Sequence, residues 1–149
     1  MFFSDRAAGF RELWRVLRPG GRAVVSSFAS MTGPFALLFD GLRTMLPDLF
    51  SEEVEQPLSD LEQFRREIAA AGFREVTIHT ITHSETTPSV SEYWAKMQRS
   101  RVSIALFRRK LGDERWKEVA QGVLNWLQEA LGDRPVEEVF RAHLGIGAK

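Results

Sequence analysis

Phe10, Leu13, Trp14 and Leu17 recur at i, i+3, i+4 and i+7, a single apolar stripe on the helical period. Ser4 is a good N-cap ahead of them, Asp5 sets negative charge in the first turn, and Arg18-Pro19-Gly20-Gly21 stops the run. A helix is therefore predicted from about Asp5 to Leu17. Arg22 to Phe28, with Ala23, Val24 and Val25 at its heart, is short, apolar at its centre and partly β-branched, and reads as a strand buried on both faces. After Gly33-Pro34, the positions Phe35, Leu38, Phe39, Leu42, Met45 and Leu46 return to helical spacing until Pro47. Ser51 to Pro57 is acidic and reads as a loop.

Ser59-Asp60-Leu61-Glu62 has the capping-box pattern, Phe64 and Ile68 carry on the stripe, and Gly72 follows a helix predicted from about Asp60 to Ala71. Val76 to Thr82 is rich in β-branched residues and reads as a strand. A second capping box, Ser89-Val90-Ser91-Glu92, opens a helical stretch with Tyr93, Trp94, Met97, Ile104 and Phe107 that breaks near Ser100 and closes at Gly112. Asp113 is expected to cap a further helix bearing Trp116, Val119, Val123 and Leu127, ended by Gly132. From Val139 to Ala148 the chain alternates, with Phe140, Ala142, Leu144, Ile146 and Ala148 on one side and Arg141 and His143 on the other. The class that results is α/β: a three-stranded mixed sheet, strands at about 22–28, 75–82 and 139–148, with five or six helices. So thin a sheet leaves an edge strand open.

At 149 residues the chain has a one-domain length, and one partial domain is expected, with residues 89–132 as a helical insertion before the last strand. Twenty Lys and Arg balance twenty Asp and Glu, which speaks against nucleic-acid binding through a broad basic surface. There is no cysteine, which removes disulfides, thiolate catalysis and Cys-ligated metal and fits a cytoplasmic protein. No apolar run approaches a membrane span, and no basic n-region with a long apolar stretch opens the chain. His79, His83 and His143 are the only histidines, and none is spaced with another as a metal pair, so no metal is expected. They read as exposed strand residues, with proton transfer as the alternative role for His83. Phe107-Arg108-Arg109-Lys110 reads as a solvated helix end whose charge suits the dipole.

Phe2-Phe3-Ser4-Asp5-Arg6 followed by Arg15-Val16-Leu17-Arg18-Pro19-Gly20-Gly21, and later Ala71-Gly72-Phe73-Arg74-Glu75-Val76, resemble stretches of class I S-adenosylmethionine-dependent methyltransferases, particularly the small-molecule, quinone-biosynthesis C-methyltransferase type. Phe140 to Lys149 resembles that family's last strand. The resemblance implies the C-terminal half of a Rossmann-like fold, with the three strands ordered first, third, second and the third antiparallel. The family's Gly-rich cofactor loop and the acidic residue that holds the ribose have no counterpart here. Gly20-Gly21 is a helix-to-strand turn, and Gly145 and Gly147 have no helix after them, so neither pair fits a dinucleotide fingerprint. On the order of 100 residues of βαβ units are missing relative to the family, and Met1 resembles an internal methionine.

The resemblance further implies S-adenosylmethionine as the parent cofactor, with no binding by this chain alone expected, and methyl transfer to a small apolar acceptor. Phe2 and Phe3 would line the cofactor site only in a completed fold, and Phe28, Phe35, Phe39 and Tyr93 would line the acceptor pocket; no catalytic residue is assigned. Packing of a loop, for the first pair, and of core-facing helices, for Phe35, Phe39 and Tyr93, are the plainer roles. A homodimer through the edge of strand 23–28, or by segment exchange, is expected to cover the open edge, with no nucleic acid and no membrane among the partners. A non-catalytic dimerisation or binding module, or part of another Rossmann-type enzyme, stands as the alternative.

Overall fold

Caps and breakers set most element ends in the computed structural model, which describes residues 5–50, 58–132 and 134–149. The Asp5 carboxylate accepts from the Ala8 amide and opens α1 (Arg6–Val16), while Ser4 lies outside the described residues. The Pro-Gly-Gly turn leads into β1 (Arg22–Phe28), and Gly33-Pro34 opens α2 (Gly33–Met45), followed by a 3-10 turn at Pro47–Leu49. Asp60 caps α3 (Leu61–Ala70), which hands over to β2 (Arg74–Thr87). Ser89 caps α4 (Val90–Ser100), and extended backbone at Arg101 separates it from α5 (Val102–Leu111). Then come α6 (Asp113–Leu131) and β3 (Val136–Ala148). Asp113 is not the cap that the sequence predicts. Gly112, at φ 77°, ends α5 in the left-handed region and precedes α6, and the Asp113 carboxylate instead accepts two bonds from Arg108.

The chain divides into two compact units, one of residues 1–30, 54–83 and 140–149, the other of residues 31–53 and 84–139. The first holds the three-stranded antiparallel sheet in the order β1-β3-β2, the last strand in the middle. Ala23 stands opposite Gly147, Val25 opposite Gly145 and Ser27 opposite His143. That face is the buried one, packed with Phe10 of α1 and Phe64 and Ile68 of α3. A Cβ on Gly145 would collide with Ile68 and with the Phe64 ring, and one on Gly147 would stand 2.7 Å from Phe73 Cβ, so the glycines are what let the helical side chains reach the sheet.

Two expectations change here. β1 is not buried on both faces: only Val25 is fully buried, while Val24 is 63% and Phe28 72% exposed, because α1 and α3 cover one side of the sheet alone. In β3 the side carrying Phe140, Ala142, Leu144 and Ile146 is half-buried, whereas the side carrying His143, Gly145 and Gly147 is buried. Glycine carries no hydropathy signal, so the alternation pointed to the wrong face. His143 is accordingly a buried residue, its Nδ1 2.9 Å from Thr80 Oγ1, whereas His79 and His83 are exposed. Lys149 closes this unit: its ammonium donates to the carbonyls of Arg15 and Leu17 and lies 4.2 Å over the Trp14 ring.

The second unit is helical around Leu38, Leu42, Tyr93, Met97, Ile104, Val123 and Leu127. Each of the aliphatic side chains among them stabilises by about 1.5–3 kcal/mol relative to exposure. α2 and α6 pack closely because each offers a glycine to the other: Gly41 faces Trp126, and Gly122 faces the thioether end of Met45. The Phe35–Leu46 segment is thus a core-facing helix.

Candidate functional site

A buried polar cluster sits in the second unit where α2, α4 and the start of β3 meet. Thr32 makes no side-chain cap for α2, which leaves first-turn amides to be satisfied from elsewhere. The Glu138 carboxylate, arriving on β3, accepts from the Phe35 amide in that turn. The same carboxylate accepts a 2.6 Å bond from the Tyr93 hydroxyl, Tyr93 being the chain's only tyrosine. Its position on α4 is fixed by the Ser89 cap.

The electrostatics follow from burial. Loss of hydration pushes the Glu138 carboxyl above the usual carboxylate range, against the opposing pull of the Tyr93 bond, the charge of Arg101, the Phe35 amide and Lys96. Burial, and then the bond and charge of Glu138, push the Tyr93 phenol well above its ordinary value. The Arg101 guanidinium lies 4.7 Å over the Phe35 ring. Phe35 in turn meets Phe39 edge-on at 5.0 Å, and the aromatic contacts continue through Phe50 to Phe107. Chemically this is a hydrogen-bonded hydroxyl–carboxyl pair beside an aromatic wall and a cation. Both members of the pair are buried, so in this arrangement they anchor α2 to α4 and β3.

Three of the residues that the sequence singles out, Phe35, Phe39 and Tyr93, therefore share one neighbourhood. Phe28 belongs to the other unit and is exposed, and Phe2 and Phe3 lie outside the described residues. Sequence reasoning misses Glu138 and Arg101. Glu138 is 45 residues from its hydroxyl partner and stands beside Glu137 in a strand, so nothing local marks it. A separate hollow of about 380 Å³ is lined by Gln98, Ile104, Ala105, Arg109 and Trp116, among others. Among the described residues no group of three acidic or histidine side chains is placed to hold a metal ion, and no helix is long and apolar enough to cross a membrane.

No family model matches the sequence. A demethylmenaquinone methyltransferase of Corynebacterium kroppenstedtii is 33% identical over 106 residues, a match covering 58% of this chain and 46% of the relative. Over those residues the chain is similar to a methyltransferase. It spans about half the length of the curated relative it matches. Among solved structures, the Haemonchus contortus phosphoethanolamine N-methyltransferase 2 with phosphomonomethylethanolamine and S-adenosylhomocysteine is similar at 15% identity and a TM-score of 0.41, over 97% of this chain and 30% of that one. A Bacillus halodurans protein assigned as a methyltransferase is similar at 15% identity and a TM-score of 0.44, over 99% of this chain and 59% of that one.

Proposed function

We propose that this chain supplies the acceptor-side portion of an S-adenosylmethionine-dependent methyltransferase acting on a small apolar acceptor. The 106-residue likeness to a demethylmenaquinone methyltransferase carries the reading. Methyl transfer from a sulfonium is an in-line displacement that needs positioning and a dry pocket more than covalent help. The aromatic wall of Phe35 and Phe39, backed by Tyr93, suits an apolar acceptor, and Phe2 and Phe3 would stand by the cofactor in a completed fold. Residues 89–132 form, on this reading, a helical insertion that shapes the acceptor side, and the place of work is the cytoplasm.

The chain alone lacks the Gly-rich loop and ribose-binding acid that hold the cofactor, so it binds S-adenosylmethionine weakly or not at all. Calorimetric titration is expected to show no micromolar association; micromolar affinity would refute this part of the proposal. A chimera joining the unmatched part of the Corynebacterium relative to this chain is expected to methylate demethylmenaquinone from labelled S-adenosylmethionine. A folded chimera without product, beside an active parent, overturns the methyltransferase reading.

One observation favours a second reading, a non-catalytic dimerisation module. The β1 edge has no neighbour in the three-stranded sheet, and Val24 and Phe28 stand exposed beside it. Pairing with the same strand of a second copy would satisfy the open backbone groups and set Val24 and Phe28 beside their counterparts on a wider apolar face.

A further inference from the structure

The helix α5 is apolar on two opposite sides. Ile104, Phe107 and Leu111 face the core of their unit. Val102, Ala105 and Leu106 fall together on the other side and are exposed, Val102 at 75% and Leu106 at 57%. One turn further along the same side stand Arg109 and Lys110, both exposed, and neither makes an ion pair among the described residues. Arg108 is held by Asp113, and α5 contains no acidic residue. In a chain of zero net charge this is a local concentration of positive charge beside bare aliphatic side chains.

We propose that this face of α5 docks on an anionic lipid bilayer. A helix that lies in the interface sinks aliphatic side chains below the headgroups and keeps Arg and Lys among the phosphates, and Val102, Leu106, Arg109 and Lys110 have that division. The hollow beside the same residues is lined by Gln98, Ala105, Arg109 and Trp116 together with the paired Arg108 and Asp113, so its one carboxylate is neutralised and it gives a headgroup room. A second copy fits less well. Two exposed aliphatic residues fall far short of the roughly 800 Å² per partner of a stable interface, and a two-fold pairing would bring Arg109 and Lys110 against their own copies. The expectation that no membrane is a partner rested on the lack of a spanning run, and a helix lying on a surface leaves no such run. The inference deepens the proposed methyl transfer to an apolar acceptor, since such acceptors partition into lipid, but vesicle binding needs neither cofactor nor acceptor and is tested without them.

The test is co-sedimentation of the full chain with phosphatidylcholine vesicles, with and without phosphatidylglycerol. Binding is expected only with phosphatidylglycerol, and it is expected to fade at high salt as the Debye length shrinks. Reversing both charges, Arg109→Glu with Lys110→Glu, is expected to weaken it on the order of tenfold or more, since each basic residue near an anionic surface is worth about a factor of five. Val102→Ser with Leu106→Ser is expected to weaken it as well, while Lys117→Glu on α6 leaves it unchanged. All five positions are exposed, and equal melting temperatures verify the fold. Binding that is absent, indifferent to phosphatidylglycerol, resistant to high salt or equally lost in Lys117→Glu overturns the proposal. So does a self-association, seen by light scattering, that Val102→Ser with Leu106→Ser abolishes, because it assigns the face to a second copy.

Discussion

The Trp126 indole occupies the space that a side chain on Gly41 would need. A Cβ there would stand 2.8 Å from Trp126 Cδ1, and the ring is held by its Nε1 donating to the Leu37 carbonyl at 3.1 Å. Across the same helix pair a Cβ on Gly122 would meet Met45 Sδ at 2.5 Å, but that is the far end of a flexible side chain. Overpacking costs about 1–3 kcal/mol and alanine's helix preference returns about 1, so Gly41→Ala is expected to lose up to about 2 kcal/mol, the rigidly held ring placing it toward the upper end. Gly122→Ala is expected to be close to neutral, because Met45 can swing aside. Urea midpoints compare the two variants, and equal shifts would contradict the account.

Gly147 presents the less forgiving case. The atom that its Cβ would meet is Phe73 Cβ, which is tied to backbone and cannot rotate away. Gly147→Ala is expected to cost about 1–3 kcal/mol through strain at the centre of the sheet. A melting temperature equal to the parent's would show that the strands part easily.

Two carboxylates give stability opposite pH dependences. Burial first, against the Tyr93 bond, holds Glu138 above its ordinary value of 4.5, so the folded chain keeps a proton that the unfolded chain has lost. Its contribution is fullest below 4.5 and declines as pH rises through the folded value. The Arg6 hydrogen bonds first, against burial, hold Glu67 below 4.5, so its contribution is present above 4.5 and is lost as pH falls through the folded value. Glu138→Gln, whose amide oxygen still accepts from Tyr93, is expected to remove the decline on the alkaline side. Glu67→Gln is expected to reduce stability at neutral pH and leave it nearly unchanged in acid. Denaturation midpoints followed from about pH 2 to about pH 8 check both signs.

The free edge of β1 makes its own prediction. Static light scattering at micromolar concentration is expected to give twice the 17.0 kDa chain mass. A lysine on an edge strand guards it against pairing, so Val24→Lys with Phe28→Lys is expected to return a monomer. A parent chain that is already monomeric counts against edge pairing.

The helices were legible because their signals are local. Phe10, Leu13, Trp14 and Leu17 repeat on the helical period, and Ser89 caps where its capping box predicts, whereas α3 is capped one residue on, by Asp60 rather than by Ser59 of the predicted box. The strand positions and the sheet order were legible too, the order through the family resemblance. What the strands bury was not. Gly145 and Gly147 face the densest packing of their unit, yet a residue without a side chain leaves no mark on a hydropathy pattern. Val24 and Val25 look alike in sequence, and only the placing of α1 and α3 on one side separates the exposed valine from the buried one. Glu138 could not be read at all, since its partners Tyr93 and the Phe35 amide come from distant segments.

The division into two cores also has a spectroscopic consequence. Of the four tryptophans, Trp14 alone belongs to the unit that holds the sheet, whereas Trp94, Trp116 and Trp126 belong to the helical one. Replacing Trp14 by phenylalanine leaves emission from the helical unit only, and the difference between the two spectra isolates the other, so the melting of each half can be watched separately in one intact polypeptide.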